Sequence, residues 1–304
     1  MRITNSQSTA ILLDSMSRNT EKMSQLMQQM SSSNRIQHPS DDPIAAVRIL
    51  RIQRSEASLA QYGSNIAGVS GNLSIQETNL QSTSDTLLDI RDLLLWAANG
   101  SNANEQLGAM AGELSNLEKT LVSYLNVKDE EGRYLFSGTL TDQPAVTYDE
   151  ASGTYSATGN DKTRQAVVAN GVMVDENVAI RPLFGNGMDL LNGLHALVAK
   201  LQDPALDSSD PAIQQSIAAT IDLLDDSHGK LLSAITDLGG RQNTLTLLDN
   251  SNQDISLVNQ KVEGDLSALD YAKASIDLGN YKLALQATQK TYLTVNGLSL
   301  FSLL

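Results

Sequence analysis

Residues 66–94 read IAGVSGNLSIQETNLQSTSDTLLDIRDLL. Steps alternating between three and four residues land on Ile66, Val69, Leu73, Gln76, Leu80, Thr83, Leu87, Ile90 and Leu94, seven of the nine aliphatic. Residues three and four apart share one face of an α-helix, so this spacing draws a single apolar stripe along a helix. The stripe lies in a long interval without proline. None occurs between Pro43 and Pro144, and none follows Pro211. Proline breaks helix interiors, so both intervals leave room for long helices. A helix from Pro43 to about Ala98 is about 80 Å long at 1.5 Å per residue. A compact globule of this chain length is only about 50 Å across. The pattern therefore predicts a mainly α protein, a long helical rod or coiled coil.

Towards the C-terminus, Asn99-Gly100 marks a stop, and the spacing resumes with Leu107, Met110, Leu114, Leu117, Leu121 and Tyr124. Residues 190–201 and 212–250 return to helical spacing, with Pro204 and Pro211 framing an acidic loop between them. Further on, Leu248, Ile255, Val262, Leu269, Ile276 and Leu283 recur every seven residues. Six consecutive aliphatic hits predict a coiled-coil-like seam. The interleaved positions Asn252, Asn259, Leu266, Lys273, Asn280 and Ala287 are weaker. The N-terminal segment carries a thinner stripe, Leu13, Met16, Met23, Met27 and Met30. Burying one Leu or Ile contributes about 1.5–3 kcal/mol. Ordering one residue costs about 1–2 kcal/mol of backbone entropy. One good hydrophobe per heptad cannot offset that cost alone. The ends, about 1–38 and 262–304, are expected to be loose in a free monomer and ordered in an assembly. Both stripes, 11 residues together, are the candidate assembly interface.

Residues 133–184 have another texture. Short β-branched and aromatic runs, such as Ala145-Val-Thr-Tyr148, Gly153-Thr-Tyr155 and Val172-Met-Val174, alternate with Gly, Asn and Asp clusters. That predicts strands and turns, read as a small β-rich domain inserted in the rod. The expected organisation is a coiled-coil segment over 1–42, rod halves over 43–130 and 187–260, the insertion over 131–186, and a second coiled-coil segment over 261–304.

The chain has 304 residues, with 21 Lys and Arg against 35 Asp and Glu, a net charge of −14. Such acidity argues against nucleic acid or an anionic membrane as the partner. No run approaches the 18 or so apolar residues of a membrane span, and the first residues lack the apolar centre of a secretory leader. Charge is uneven: residues 1–40 and 241–304 carry nine basic and eight acidic groups, while 41–240 carry 12 and 27. The ends read as material to be packed, the middle as solvated surface.

Cysteine is absent, which removes disulfides, thiol catalysis and thiolate metal sites. The three histidines are His38, His195 and His228. Asp225 and His228 share a helix face, but two such residues are common on solvated helices, and no metal or cofactor is assigned. No phosphate loop or nucleophile–base ordering appears, so no catalytic residue is expected. Asp41-Asp42-Pro43 reads as helix initiation, Asp at the N-cap and Pro at the first helical position, in a polar corner between segments. Trp96 reads as a packing or contact residue.

Residues 34–46, from Asn34-Arg35-Ile36 through Asp41-Asp42-Pro43 to Ala46, resemble a signature of the bacterial flagellin superfamily. Ile90-Arg91-Asp92-Leu93 with Ala97-Ala98-Asn99-Gly100-Ser101, and Leu238-Gly239-Gly240-Arg241-Gln242-Asn243, resemble two further stretches of it. The resemblance covers about 1–140 and 236–304. Arg133-Tyr134-Leu135-Phe136-Ser137-Gly138 and Leu298-Ser299-Leu300-Phe301 resemble the hook–filament junction branch more than filament flagellins. Trp96 departs from the family, where Gln is common. The resemblance implies a non-enzymatic structural adaptor, exported by the flagellar type III apparatus with an export chaperone and located in the extracellular flagellum. It implies a ring of copies of this chain between a hook-side junction protein and the flagellin filament. A filament flagellin is the alternative.

Overall fold

The computed structural model describes residues 2–99, 103–185, 187–203 and 210–301, leaving aside the side chains of residues 2–6 and 296–301. Gly100, Ser101 and the 204–209 part of the acidic loop lie outside the described residues, as do the side chains of the 298–301 stretch. In chain order the elements are α1 (Arg2–Ser32), α2 (Pro43–Ala97), α3 (Asn104–Leu125), β1 (Val146–Asp149), β2 (Thr154–Ala157), β3 (Gln165–Ala169), β4 (Val172–Asp175), α4 (Arg181–Phe184), α5 (Asp189–Leu201), α6 (Pro211–Ser267) and α7 (Tyr271–Phe301). The chain forms two compact units, one of residues 59–253 and one of residues 1–58 with 254–304. Both boundaries fall inside long helices, α2 and α6, rather than at the corner near residue 42 or at residue 260.

In the unit of residues 59–253, all nine stripe positions of α2 are buried, the two polar ones included. Thr83 donates its hydroxyl to the Asn79 carbonyl, 2.8 Å away. Gln76 reaches out of the helix: its Nε2 donates to Glu176 O at 2.8 Å, and its Oε1 accepts from the Val178 N–H at 2.8 Å. A buried amide is tolerated because both ends of it are satisfied. On α6 the buried line is Ile217, Leu224, Leu231, Leu238 and Leu245, at seven-residue steps, and all are at most 1% exposed. This seam is the one that closes, and it precedes the Leu248 line in sequence. Polar pairs link the two helices beside the leucines: Ser84 Oγ lies 3.0 Å from His228 Nε2, and Arg91 Nε donates to Asp225 Oδ1 at 2.8 Å. Both halves of the Asp225/His228 pair are thus occupied across the helices.

Helices α3 and α5 bury Leu107, Leu114, Leu121 and Leu125 with Leu190, Leu194, Leu197 and Leu201. The strands form two antiparallel hairpins, β1–β2 and β3–β4. The hairpins do not enclose a core of their own. Val146, Tyr155 and Val168 belong to the same apolar cluster as the α2 and α6 leucines. Asn252 Nδ2 donates to Val168 O and Asn65 Nδ2 to Val167 O, tying β3 to both long helices. The run Tyr134–Gly138 leads into this region. Leu135 and Phe136 are buried, and Gly138 has φ +72° with its backbone pressed against Asn160, where a Cβ would collide.

A polar network closes the hairpin against the helices. Glu118 of α3, buried, accepts from Tyr155 OH at 2.7 Å and pairs with His195 Nδ1 at 2.8 Å. Tyr148 OH lies 3.1 Å from His195 Nε2. Burial first, then the Glu118 carboxylate, push the Tyr155 phenol well above the usual tyrosine range.

Candidate assembly surface

The unit of residues 1–58 and 254–304 is built around the Asp41-Asp42-Pro43 corner. Asp42 Oδ1 accepts the Ala45 N–H at 3.0 Å, three residues into α2, which is N-cap geometry with Pro43 as the first helical residue. Its Oδ2 accepts both Arg35 guanidinium nitrogens at 3.1 Å. Asp41 closes the preceding turn, accepting the Gln37 and His38 N–H groups at 2.9 Å each. The backbone donors, joined by Arg35 in the case of Asp42, hold both carboxyls below the usual aspartate range. The sequence assigns the cap; the grip on Arg35 is added by the fold.

That grip places Arg35 at a crossing. Its N–H donates to Ser267 O at 2.8 Å, its side chain to Leu266 O at 3.2 Å, and Leu269 N–H donates to Ser33 O at 3.2 Å. Asn34 and Ala268 thereby form an antiparallel bridge. Tyr271 at the start of α7 donates its hydroxyl to Met30 O at 2.8 Å and lies 2.7 Å from Ser33 Oγ. The end of α1 thus meets the start of α7, and the two helices run antiparallel.

The seven-residue line predicted over 248–283 is therefore not one seam. The helix stops at Ser267, and Asp270 restarts it by accepting the Lys273 N–H at 3.0 Å. Leu248 belongs to the unit of residues 59–253 and packs against its core, and Leu269 is half-buried in the break. Ile255 and Val262 are exposed, and Ile276 and Leu283 are each 65% exposed. The face of α7 turned to α1 is a different one, with Ala274 buried and Leu278, Tyr281, Leu285 and Tyr292 half-buried.

On α1, Met16, Met23 and Met30 are half-buried, whereas Leu13 and Met27 are 48% and 49% exposed. Leu12 and Leu26 take the inner places, in the series Leu12, Met16, Asn19, Met23, Leu26 and Met30. A search for aliphatic residues alone passes over that series because Asn19 interrupts it. Both end segments are helical. Their contact is shallow, however. Among the described side chains of α1 none is fully buried, and in α7 only Ala274 is.

The seam between α2 and α6 changes character in this unit. Ser256 Oγ donates to Glu56 Oε2 at 2.6 Å, Asn259 Nδ2 to Glu56 Oε1 at 2.8 Å, and Gln53 Nε2 to Glu263 Oε1 at 2.8 Å. Ser256 first, then Asn259, lower the Glu56 pKa. The aliphatic residues here, Ile44, Val47, Leu257 and Val258 among them, point outwards. Large aliphatic side chains left exposed in this number make the unit a candidate contact surface. Among the described residues no group of three His, Cys, Asp or Glu side chains could hold a metal, and no helix is long and apolar enough to cross a membrane.

Long paired helices with outward aliphatic lines define a structural, contact-making protein of the long-helix class. Residues 3–141 match the family model described as the bacterial flagellin N-terminal helical region. The flagellar hook-associated protein 3 of Escherichia coli K12 is 27% identical over 91% of either chain. A solved Vibrio parahaemolyticus structure assigned as a flagellar hook-associated protein is 38% identical, with a TM-score of 0.69, covering 75% of this chain and all of that one. The hook-associated protein 3 structure from Legionella pneumophila shares the fold, with a TM-score of 0.66 at 17% identity over 72% of this chain and 98% of that one. The chain belongs to the bacterial flagellin superfamily, on its hook-associated, hook–filament junction branch. It is a structural component of the bacterial flagellum.

Proposed function

We propose that the chain is an adaptor at the hook–filament junction, assembling as a ring of its own copies between a hook-side junction protein and the flagellin filament. It reaches that place through the flagellar type III export apparatus with an export chaperone, and acts outside the cell without catalysing a reaction. The observation that carries this reading is the set of aliphatic side chains that the terminal unit leaves exposed, Ile255 and Val262 on α6 and Ile276 and Leu283 on α7. Likeness to the hook-associated protein 3 of Escherichia coli over nine-tenths of both chains supports the junction rather than the filament. By comparison, flagellin E of Vibrio cholerae is 30% identical over only 39% of this chain and 32% of its own, and it is the ground for the alternative, a filament flagellin.

The test places charge on the exposed line. Leu269 is a poor site because it is half-buried in the break. Ile276→Asp with Leu283→Asp is the better pair. The purified variant should keep the helical circular dichroism and melting of the parent. Cells should secrete it without retaining it, carry hooks without filaments and release flagellin. Normal swimming would sink the proposal. Immunogold labelling of sheared flagella should mark only the hook–filament boundary; label along the filament would favour the alternative.

A further inference from the structure

Two stripes on α2 have opposite charge. Near its start, Ile44, Val47, Arg48, Arg51 and Arg54 are all exposed. At 100° per residue they fall within one arc of about 120°, on the side away from Gln53 and Glu56, which bond α6. Nearer its end, Asp85, Leu88, Asp89, Asp92, Leu95 and Trp96 are exposed and also fall within about 120°. Among the described residues none of the three arginines or three aspartates forms an ion pair; Asp85 alone has a polar partner, Gln81 Nε2 at 3.3 Å. Trp96, the single tryptophan of the chain, is 63% exposed.

A charge run by itself is ordinary solvated surface. Here each run is interleaved with large aliphatic or aromatic side chains at helical spacing, three cations on one stripe and three anions on the other. Arginine and aromatic residues within an apolar surround are what protein interfaces enrich. Arg48 to Arg54 spans about 9 Å of helix and Asp85 to Asp92 about 10.5 Å, so the charges can pair in register. We propose that the arginine stripe of one copy docks on the aspartate stripe of the next. The contact is heterologous: each copy offers both halves, so contacts propagate from copy to copy. This rests on the reading that copies of the chain assemble, and adds which surfaces meet and with what polarity.

Charge reversal in the full-length chain tests it, in cells lacking the parent protein. Arg51→Glu alone and Asp89→Arg alone should each lower incorporation into sheared flagella by at least about ten-fold, as like charges face each other, with secretion and circular dichroism unchanged. The double variant restores opposite charges across the contact and should recover most of the loss. Proximity is read separately, since the chain has no cysteine of its own. Differently tagged Arg51→Cys and Asp89→Cys chains, co-assembled and oxidised, should give the mixed disulfide dimer and neither like–like dimer. Normal incorporation of both single variants, failure of the double to recover, or like–like dimers overturns the proposal. If any of these occurs while gold label still marks only the hook–filament boundary, the stripe pairing fails and the junction assignment stands. Label elsewhere overturns that assignment instead.

Discussion

The two units use the same long helices in opposite ways. In residues 59–253, α2 and α6 present leucine to leucine, with Leu73, Leu80, Leu87, Leu224, Leu231 and Leu238 all at 0% exposure. In residues 1–58 and 254–304, the same helices meet through Gln53, Glu56, Ser256, Asn259 and Glu263, and aliphatic side chains turn outwards. Charge follows the division: the first unit carries 10 basic and 25 acidic groups, the second 11 and 10. A unit that closes its apolar surface internally can afford an acidic, solvated exterior. A unit that leaves apolar surface outside, at near-neutral charge, is suited to neighbours. The boundary is marked in α6 by the change from Leu245 to Asn252 on one heptad line.

The difference can be broken most directly by protease. Limited digestion of the free chain should cut first within 1–58 or 254–304 and leave a resistant fragment close to 59–253. First cuts within 66–94 would mean the two units are equally stable. Next in size is a pair of truncations. Leu87→Ala should destabilise the chain by about 2–5 kcal/mol in urea unfolding, the range for a fully buried leucine. Ile276→Ala should stay within about 0.5 kcal/mol, as for exposed positions. Equal effects would erase the contrast.

Gln76→Leu keeps the volume but strips Glu176 O and Val178 N–H of their partner, and should cost about 1–3 kcal/mol. Faster hydrogen exchange at Val178 would localise the loss. A smaller effect is expected at alkaline pH. The Tyr155 phenol is raised in the folded state above its unfolded value of 10.0, so its contribution is complete below pH 10 and is lost as pH rises beyond it. Stability of the 59–253 unit should therefore fall above about pH 10, and Tyr155→Phe should flatten that fall. The smallest effect is expected at the corner. Asp42 is lowered below its ordinary 3.8, so its contribution is present above that value and lost as pH falls below it. Protection of the Ala45 amide, measured relative to its intrinsic exchange rate at each pH, should fall in acid, and Asp42→Ala should abolish that acid dependence. An unchanged profile would mean the cap carries little of the corner's order.

Much of this was legible along the chain. The 66–94 stripe, the cap at Asp42 and the strand-bearing region between α3 and α4 are local patterns, set by spacing and by the chemistry of a few adjacent residues. Periodicity even placed Gln76 and Thr83 inward, although neither is apolar. What spacing alone left open is which of two aliphatic lines is buried within the chain, one inside α6 and one that runs from α6 across the break into α7. Ile217 to Leu245 and Leu248 to Leu283 each satisfy a seven-residue spacing, and the second has the longer run of hits. Only the first faces α2. Leu12 and Leu26 were missed for a related reason, since the inner face of α1 includes Asn19.

The sequence by itself determined that this protein is built of long helices, that one of them begins at Asp42-Pro43, and that its end segments carry thinner apolar stripes than a self-contained domain requires. Hydrophobic period is a property of one helix, so it can be read without knowing the partner. Which line is buried, where the 248–283 run breaks at Asp270, and that Arg35 joins Asp42 to the end of α6 were decided only by tertiary structure. The partner of the buried line lies more than a hundred residues away along the chain, as Ser84 does from His228, and burial free energy is realised only when that surface arrives.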